Sequence, residues 1–282
     1  KTQILTNLQT NKTLTLKYAD AGNQALTAVQ PEKPIFEDKT KSSNIDFTHV
    51  ENEYVDFNYE RLIPHFLSNM GPFVASGDVN GDHLDDVYLG GATGNQDKPG
   101  QAGCLYLQLP GGKFKKTHQP AFEKDKIFED TDCKFFDADG DGDLDLVVGS
   151  GGNENPEGSD FYKMRLYNND GKGNFTRNEN AIQDLKISVG SVLPYDIDGD
   201  NDLDLIIGGR VQPGAYPTSP KSFVLRNDKG SFKDATSVYC PELSTIGMVT
   251  DIKTADLDGD KAPEIIVCGE WMPITIFKKQ GT

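Results

Sequence analysis

Apolar residues in this chain come in short runs separated by clusters of Gly, Asp and Asn, and the runs recur in a fixed order. Four segments are the most apolar: DVYLG (86–90), LVVG (146–149), LIIG (205–208) and IIVCG (265–269). A near-continuous apolar run this short predicts a strand buried on both faces, as inside a stack of sheets. Each is preceded by another strand-like run: PFVAS (72–76), CKFF (133–136), SVLPY (191–195) and DIKTA (251–255). Each is followed by a third: CLYLQL (104–109), KMRLYN (163–168), SFVLRN (222–227) and PITIFK (273–278). A Gly-containing turn then leads to a fourth in three of the four units: KFKKT (113–117), NFTRN (174–178) and SFKDA (231–235). The turns GG, DGKG and DKG have hairpin chemistry. Four antiparallel strands per unit, repeated, predict an all-β chain built of β-propeller blades. The units lie around 71–120, 131–180, 190–236 and 247–282.

Between the first and second strand of every unit lies an acidic nonamer. The four nonamers start at Asp78, Asp137, Asp196 and Asp256, spaced 59, 59 and 60 residues apart. Positions 1, 3, 5 and 9 are Asp78, Asn80, Asp82 and Asp86 in the first and Asp137, Asp139, Asp141 and Asp145 in the second. They are Asp196, Asp198, Asp200 and Asp204 in the third, and Asp256, Asp258, Asp260 and Glu264 in the fourth. Position 4 is always glycine, which permits a left-handed turn that folds the acids onto one point. Position 7 is Leu84, Asp143, Asp202 or Ala262, and this variety suits a residue that contributes only its main-chain carbonyl.

Oxygen donors at alternate positions with a closing carboxylate suit Ca²⁺, which takes six to eight oxygens in a flexible cage. Up to four Ca²⁺ ions are therefore expected. Mg²⁺ prefers fewer protein ligands, and Zn²⁺ lacks its His and Cys donors here. An EF-hand is excluded because its position 12 needs a bidentate Glu, and position 12 is Leu89, Val148, Ile207 and Val267. Without a cation the crowded carboxylates repel one another and oppose folding.

The D-x-[DN]-G-D-x-x-x-[DE] loop followed by an apolar strand and glycine resembles the FG-GAP/VCBS repeat of integrin α-chain propellers and many bacterial surface proteins. The resemblance spans about residues 71–282. It implies Ca²⁺ in a loop that joins the first two strands of a blade. It also implies an extracellular or cell-surface, adhesive or recognition role towards a protein or carbohydrate ligand. The fourth loop departs from the pattern, with Pro263 and Glu264 in place of x-Asp.

Composition narrows the rest. The formal net charge of −16 over 282 residues argues against a nucleic-acid partner. The mean hydropathy of −0.53 and the lack of a long apolar run argue against membrane insertion. Cys104, Cys133, Cys240 and Cys268 form no C-x-x-C pair, and Cys268 in IIVCG reads as a buried small hydrophobe. Nucleophilic triads, phosphate loops and H-E-x-x-H are absent, and His49, His65, His83 and His118 show no ligand spacing, so no enzyme is expected. The alternatives are the propeller portion of a secreted polysaccharide-acting enzyme and a structural spacer in a long surface protein. Trp271 is read as packed by the fourth blade, with sugar or peptide stacking as its other role.

Residues 1–30 alternate like a hairpin and run into a linker. They resemble the tail of the ASPIC/UnbV domain, which implies that the propeller portion begins at 31. PIFEDKT (34–40) resembles the fourth-strand SFKDAT (231–236) and would complete the last blade if the ring closes. The reading preferred over closure is a fragment of a larger ring. The aromatic, mixed-charge stretch 51–72 is expected to cover a blade edge, with a ligand site as the alternative.

Overall fold

The computed structural model describes residues 11–22, 35–94 and 99–280. Residues 1–39 and 40–282 form separate compact units. In the first, the described residues hold one 3₁₀ turn, Tyr18–Asp20. The hairpin-like alternation at 1–21 and the linker lie largely outside the described residues, and residues 11–17 form no strand.

The second unit is all-β. Four antiparallel sheets follow one another along the chain. The first holds β1 (Val74–Gly77), β2 (Asp86–Leu89), β3 (Cys104–Leu109) and β4 (Lys113–Lys116). The second holds β5 (Asp130–Phe136), β6 (Asp145–Ser150), β7 (Arg165–Asn168) and β8 (Thr176–Arg177). The third holds β9 (Ser188–Tyr195), β10 (Asp204–Val211), β11 (Phe223–Asn227) and β12 (Phe232–Asp234). The fourth has three strands among the described residues: β13 (Met248–Ala255), β14 (Glu264–Glu270) and β15 (Thr275–Phe277). Within each sheet every strand pairs only with its neighbours in sequence, the order of simple hairpins.

Period-two alternation explains how these sheets stack. Leu146 and Val148 of β6 pack with Tyr88 and Leu105 of the first sheet, whereas Val147 packs with Val192, Leu205 and Ile207 of the third. Ile206 of β10 faces the other way, against Val249, Ile252 and Val267 of the fourth. Every residue of β6 and β10 is buried, as expected for strands covered on both faces. Each fully buried aliphatic side chain is worth about 1.5–3 kcal/mol, so the three layers between sheets hold the stack. β2 and β14 are only partly buried, because the first and fourth sheets have a partner sheet on one side.

Successive sheets touch through β1, β5, β9 and β13, and the first and fourth make no comparable contact. The sheets are therefore not closed into a ring. The strand that would complete the fourth sheet does not form at 35–39: Ile35 and Phe36 are exposed and Thr40–Ser43 is a helical turn. An extended strand with no apolar cover gains too little to hold its order.

Residues 46–67 run as a strap along one end of the sheets. Tyr106 O–H donates to Asp46, and Gln101 bonds the main chain at Thr48 and Val50. Further on, Asn153 Nδ2 donates to Asp56, and Ile63 and Leu67 pack on Val211 and Met248. The stretch expected to cover a blade edge runs instead over the strand ends, and it touches all four sheets. No helix among the described residues is long and apolar enough to cross a membrane.

Candidate metal loops and the opposite face

The acidic loops join the first strand of each sheet to the second, so all four lie at one end of the strands. Their conformation is built by the carboxylates. Each position-1 Asp uses both oxygens: Oδ1 accepts from the N–H of position 4 and Oδ2 from that of position 6. The donors are Gly81 and His83, Gly140 and Gly142, Gly199 and Asn201, and Gly259 and Lys261, at 2.6–3.1 Å. Position 5 accepts from the N–H of position 7 in every loop. The position-4 glycines have φ of 76–85°.

Position 9 is the buried anchor. Asp86, Asp145, Asp204 and Glu264 are all nearly inaccessible. One oxygen accepts from the position-2 N–H, at 2.9–3.1 Å. In the first three loops the other accepts from the third strand, from Gln108, Asn169 and Asn227 at 2.7–2.9 Å. The position-9 carboxylate thus fastens the loop to its own sheet. Carboxylate oxygens have further lone pairs, so this does not prevent ligation.

The loops differ in how far their acids converge. In the second, third and fourth, three carboxylates each offer an oxygen, and the three oxygens lie within 4.8 Å of one another: Asp137, Asp139 and Asp145; Asp196, Asp198 and Asp204; Asp256, Asp258 and Asp260. The first loop, with Asn80 at position 3, has no such carboxylate trio, and Glu264 is outside the fourth. In the second loop Asp139 Oδ1 and Asp143 Oδ1 are buried with no hydrogen-bond partner. Burial, then the neighbouring acids, pushes Asp143 up to about 6. Burial, with Asp139 and Asp143 adding to it, pushes Asp145 up to about 7 against two backbone N–H bonds. These oxygens fit a hard divalent cation, which would satisfy the unpartnered lone pairs and remove the repulsion.

In the third and fourth loops a side chain of the third sheet strand or its end lies against the acids and supplies positive charge. Arg226 bonds Asp198 at 2.8 Å and Asp200 at 3.2 Å. Lys278 pairs with Asp258, and with Asp260 at 2.7 Å.

Residues 78–148 and 137–207 match the family model for an FG-GAP-like repeat. Over residues 78–207 the chain is similar to FG-GAP-like repeats. Each match runs from the start of one acidic loop into the apolar strand after the next. No curated protein matches the chain. Two features of these loops escaped the sequence reading. Asn169 Nδ2 donates to Val79 O of the preceding loop and to Leu144 O of its own, and Asn227 does the same for Ala138 and Leu203. The Asn-Asp pair at the end of the third strand was the available signal. Position 6 is also left-handed in every loop, with φ of 66–92°.

The other end of the strands carries the strap and the long connections. Arg165 and Asp130 are both buried and pair at 2.6 Å, and Tyr88 O–H and Gly91 N–H also donate to Asp130. His65 contacts Glu270 at 3.2 Å, and Arg210 pairs with the same carboxylate. Tyr54 and Tyr59 stack at 4.9 Å beside a cleft of about 480 Å³ that Phe161, Thr93 and Glu154 also line. Trp271 is not packed into the fourth sheet: it is 72% exposed, and its indole N–H donates to Tyr216 O–H at 2.8 Å. All four cysteines are free, and the fully buried one is Cys133 rather than Cys268.

Proposed function

We propose that this chain is a non-catalytic, Ca²⁺-stabilised β-propeller module that recognises a protein or carbohydrate outside the cell. The observation that carries the Ca²⁺ reading is the second loop: converging carboxylates with buried oxygens that no protein donor satisfies. Ca²⁺ is held by Asp137, Asp139, Asp141 and Asp145 with the carbonyl of Asp143, and by the equivalent residues of the other loops. The ions pin the turns at one end and so pre-organise the strands that carry the recognition surface at the other. That surface is supported by the exposed Trp271–Tyr216 pair and the Tyr54–Tyr59 stack beside the cleft, since rigid aromatic rings are good platforms for sugars and peptides.

The test is a melting curve in millimolar Ca²⁺ and in Ca²⁺-free buffer with chelator. Sites with Kd of about 10⁻⁴–10⁻³ M add roughly 1 kcal/mol each when filled, so a rise of several degrees is expected. Asp139→Ala, which removes an unpartnered oxygen, should abolish part of that rise and cost much less in chelator. Identical melts with and without Ca²⁺ would remove the metal reading. Glycan and protein arrays probed with wild type and Trp271→Ala address recognition, and signal that ignores Trp271 would move it off that face.

A further inference from the structure

We propose that His49, Glu51 and Glu129 form a metal site of a different class from the acidic loops, taking a first-row transition ion such as Zn²⁺. The site is at the opposite end of the strands. His49 and Glu51 sit on the strap, and Glu129 immediately precedes β5. Each residue offers one ligand atom, and the three atoms lie within 4.8 Å of one another. His49 Nε2 is 2.6 Å from Glu51 Oε1. Glu129 is 2% exposed, and Thr93 N–H donates to its Oε2 at 2.8 Å, which fixes the carboxylate plane. A Cβ on residue 71 would stand 2.6 Å from the His49 ring, so Gly71 is what lets the imidazole occupy this position.

The independent observation is a coincidence of orphans. His49 Nδ1, Glu51 Oε2 and Glu129 Oε1 are all buried, and none has a hydrogen-bond partner. Each such atom costs about 1–3 kcal/mol, and here they fall on three residues whose ligand atoms converge. Thr93 N–H already engages Glu129 Oε2, so Oε1 is the oxygen left for a ligand. A divalent ion balances the two carboxylates and takes an imidazole nitrogen. One imidazole among the donors suits Zn²⁺ and its neighbours in the series, whereas Ca²⁺ selects oxygen. Three protein ligands leave one position for water.

The site does not depend on the Ca²⁺ reading, and the experiment keeps the two apart. Protein held in millimolar Ca²⁺ is equilibrated with Zn²⁺, passed over a desalting column and assayed for metal. One Zn²⁺ per chain is expected, unchanged in Asp139→Ala and weakened about tenfold or more in His49→Ala and in the near-isosteric Glu129→Gln. On the unmutated chain, Co²⁺ should give visible ligand-field absorption and shift the ring protons of one of the four histidines. The site is refuted if no Zn²⁺ is retained while Ca²⁺ is present. It is equally refuted if both variants retain Zn²⁺ like wild type, or if Co²⁺ shifts no histidine.

Discussion

The two ends of the strands solve opposite problems of charge. At the loop end, acids gather with few cations among them and rely on backbone N–H groups, and on Arg226 and Lys278 in two loops, to hold them. At the strap end, the central acid is already matched: Asp130 has Arg165, Tyr88 and Gly91, all buried. The loop end thus offsets its acids mainly with backbone N–H groups, whereas the strap end matches its central acid but leaves buried polar atoms unpartnered at Asn153, Arg210 and Glu270 as well as at His49, Glu51 and Glu129. Acid content alone does not single out a candidate metal site; converging donor atoms with buried, unsatisfied lone pairs are the more selective signal.

The largest effect that can break this comparison is at the buried ion pair. Arg165→Met leaves Asp130 without its counter-charge and should cost about 3–5 kcal/mol in urea unfolding. The loss should be equal with and without Ca²⁺, since Arg165 is remote from the loops along its sheet. Replacing both partners, Arg165→Met with Asp130→Asn, should recover much of it, because breaking a buried pair costs more than removing it. A loss confined to Ca²⁺ conditions would mean that the two ends are not independent.

The same comparison shows what a sequence reveals. The loop end was legible because every function there is set by local order: strand, nonamer, strand, at one period. Strand positions from 72–76 to 273–278 fell within a few residues of the observed ones for this reason. Burial on both faces followed from the apolar runs for β6 and β10 but not for β2 and β14, where the same runs predicted it and a neighbouring sheet is missing on one side. The strap end was not legible. His49 and Glu51 meet Glu129 across nearly eighty positions, and no periodicity announces a contact between an aperiodic strap and a strand entrance. Trp271 was misread for a related reason: its exposure is set by a left-handed residue (φ 57°) and by Tyr216, more than fifty positions away.

A smaller effect sharpens the loop side through pH. In the cation-free protein Asp145 titrates at about 7, raised from 3.8 chiefly by burial. The folded chain therefore holds a proton between about pH 4 and 7 that the unfolded chain releases. The folded state binds more protons there, so stability falls as pH rises through that window. With saturating Ca²⁺ the carboxylate is ionised in the folded chain as in the unfolded one, so this group's pH dependence vanishes across the window. Affinity should drop by up to about tenfold per pH unit on acidification below 7. The difference in Tm between wild type and Asp145→Asn, followed from pH 4 to 8 with and without Ca²⁺, isolates this group. Parallel curves of the same sign in both buffers would contradict it.

The smallest effect compares one backbone conformation at the two ends. His83 and Lys261 hold φ of 66° and 72° at position 6, where Gly142 stands in the second loop. A left-handed residue with a Cβ costs about 1–2 kcal/mol, and glycine gives back about 0.5–1 through the unfolded chain. His83→Gly and Lys261→Gly should therefore gain a few tenths to about 1 kcal/mol, seen as a rise of about 1–3 °C. Asn201→Gly should gain less, because Asn tolerates this region. Trp271→Gly, at φ 57° on the strap side, relieves the same strain but removes the indole bond to Tyr216 and the ring contact at 6.5 Å. It should gain nothing or lose slightly. If Trp271→Gly stabilises as much as Lys261→Gly, the aromatic pair contributes no order to that face. The strain at 271 would then have to be explained by a partner that binds there.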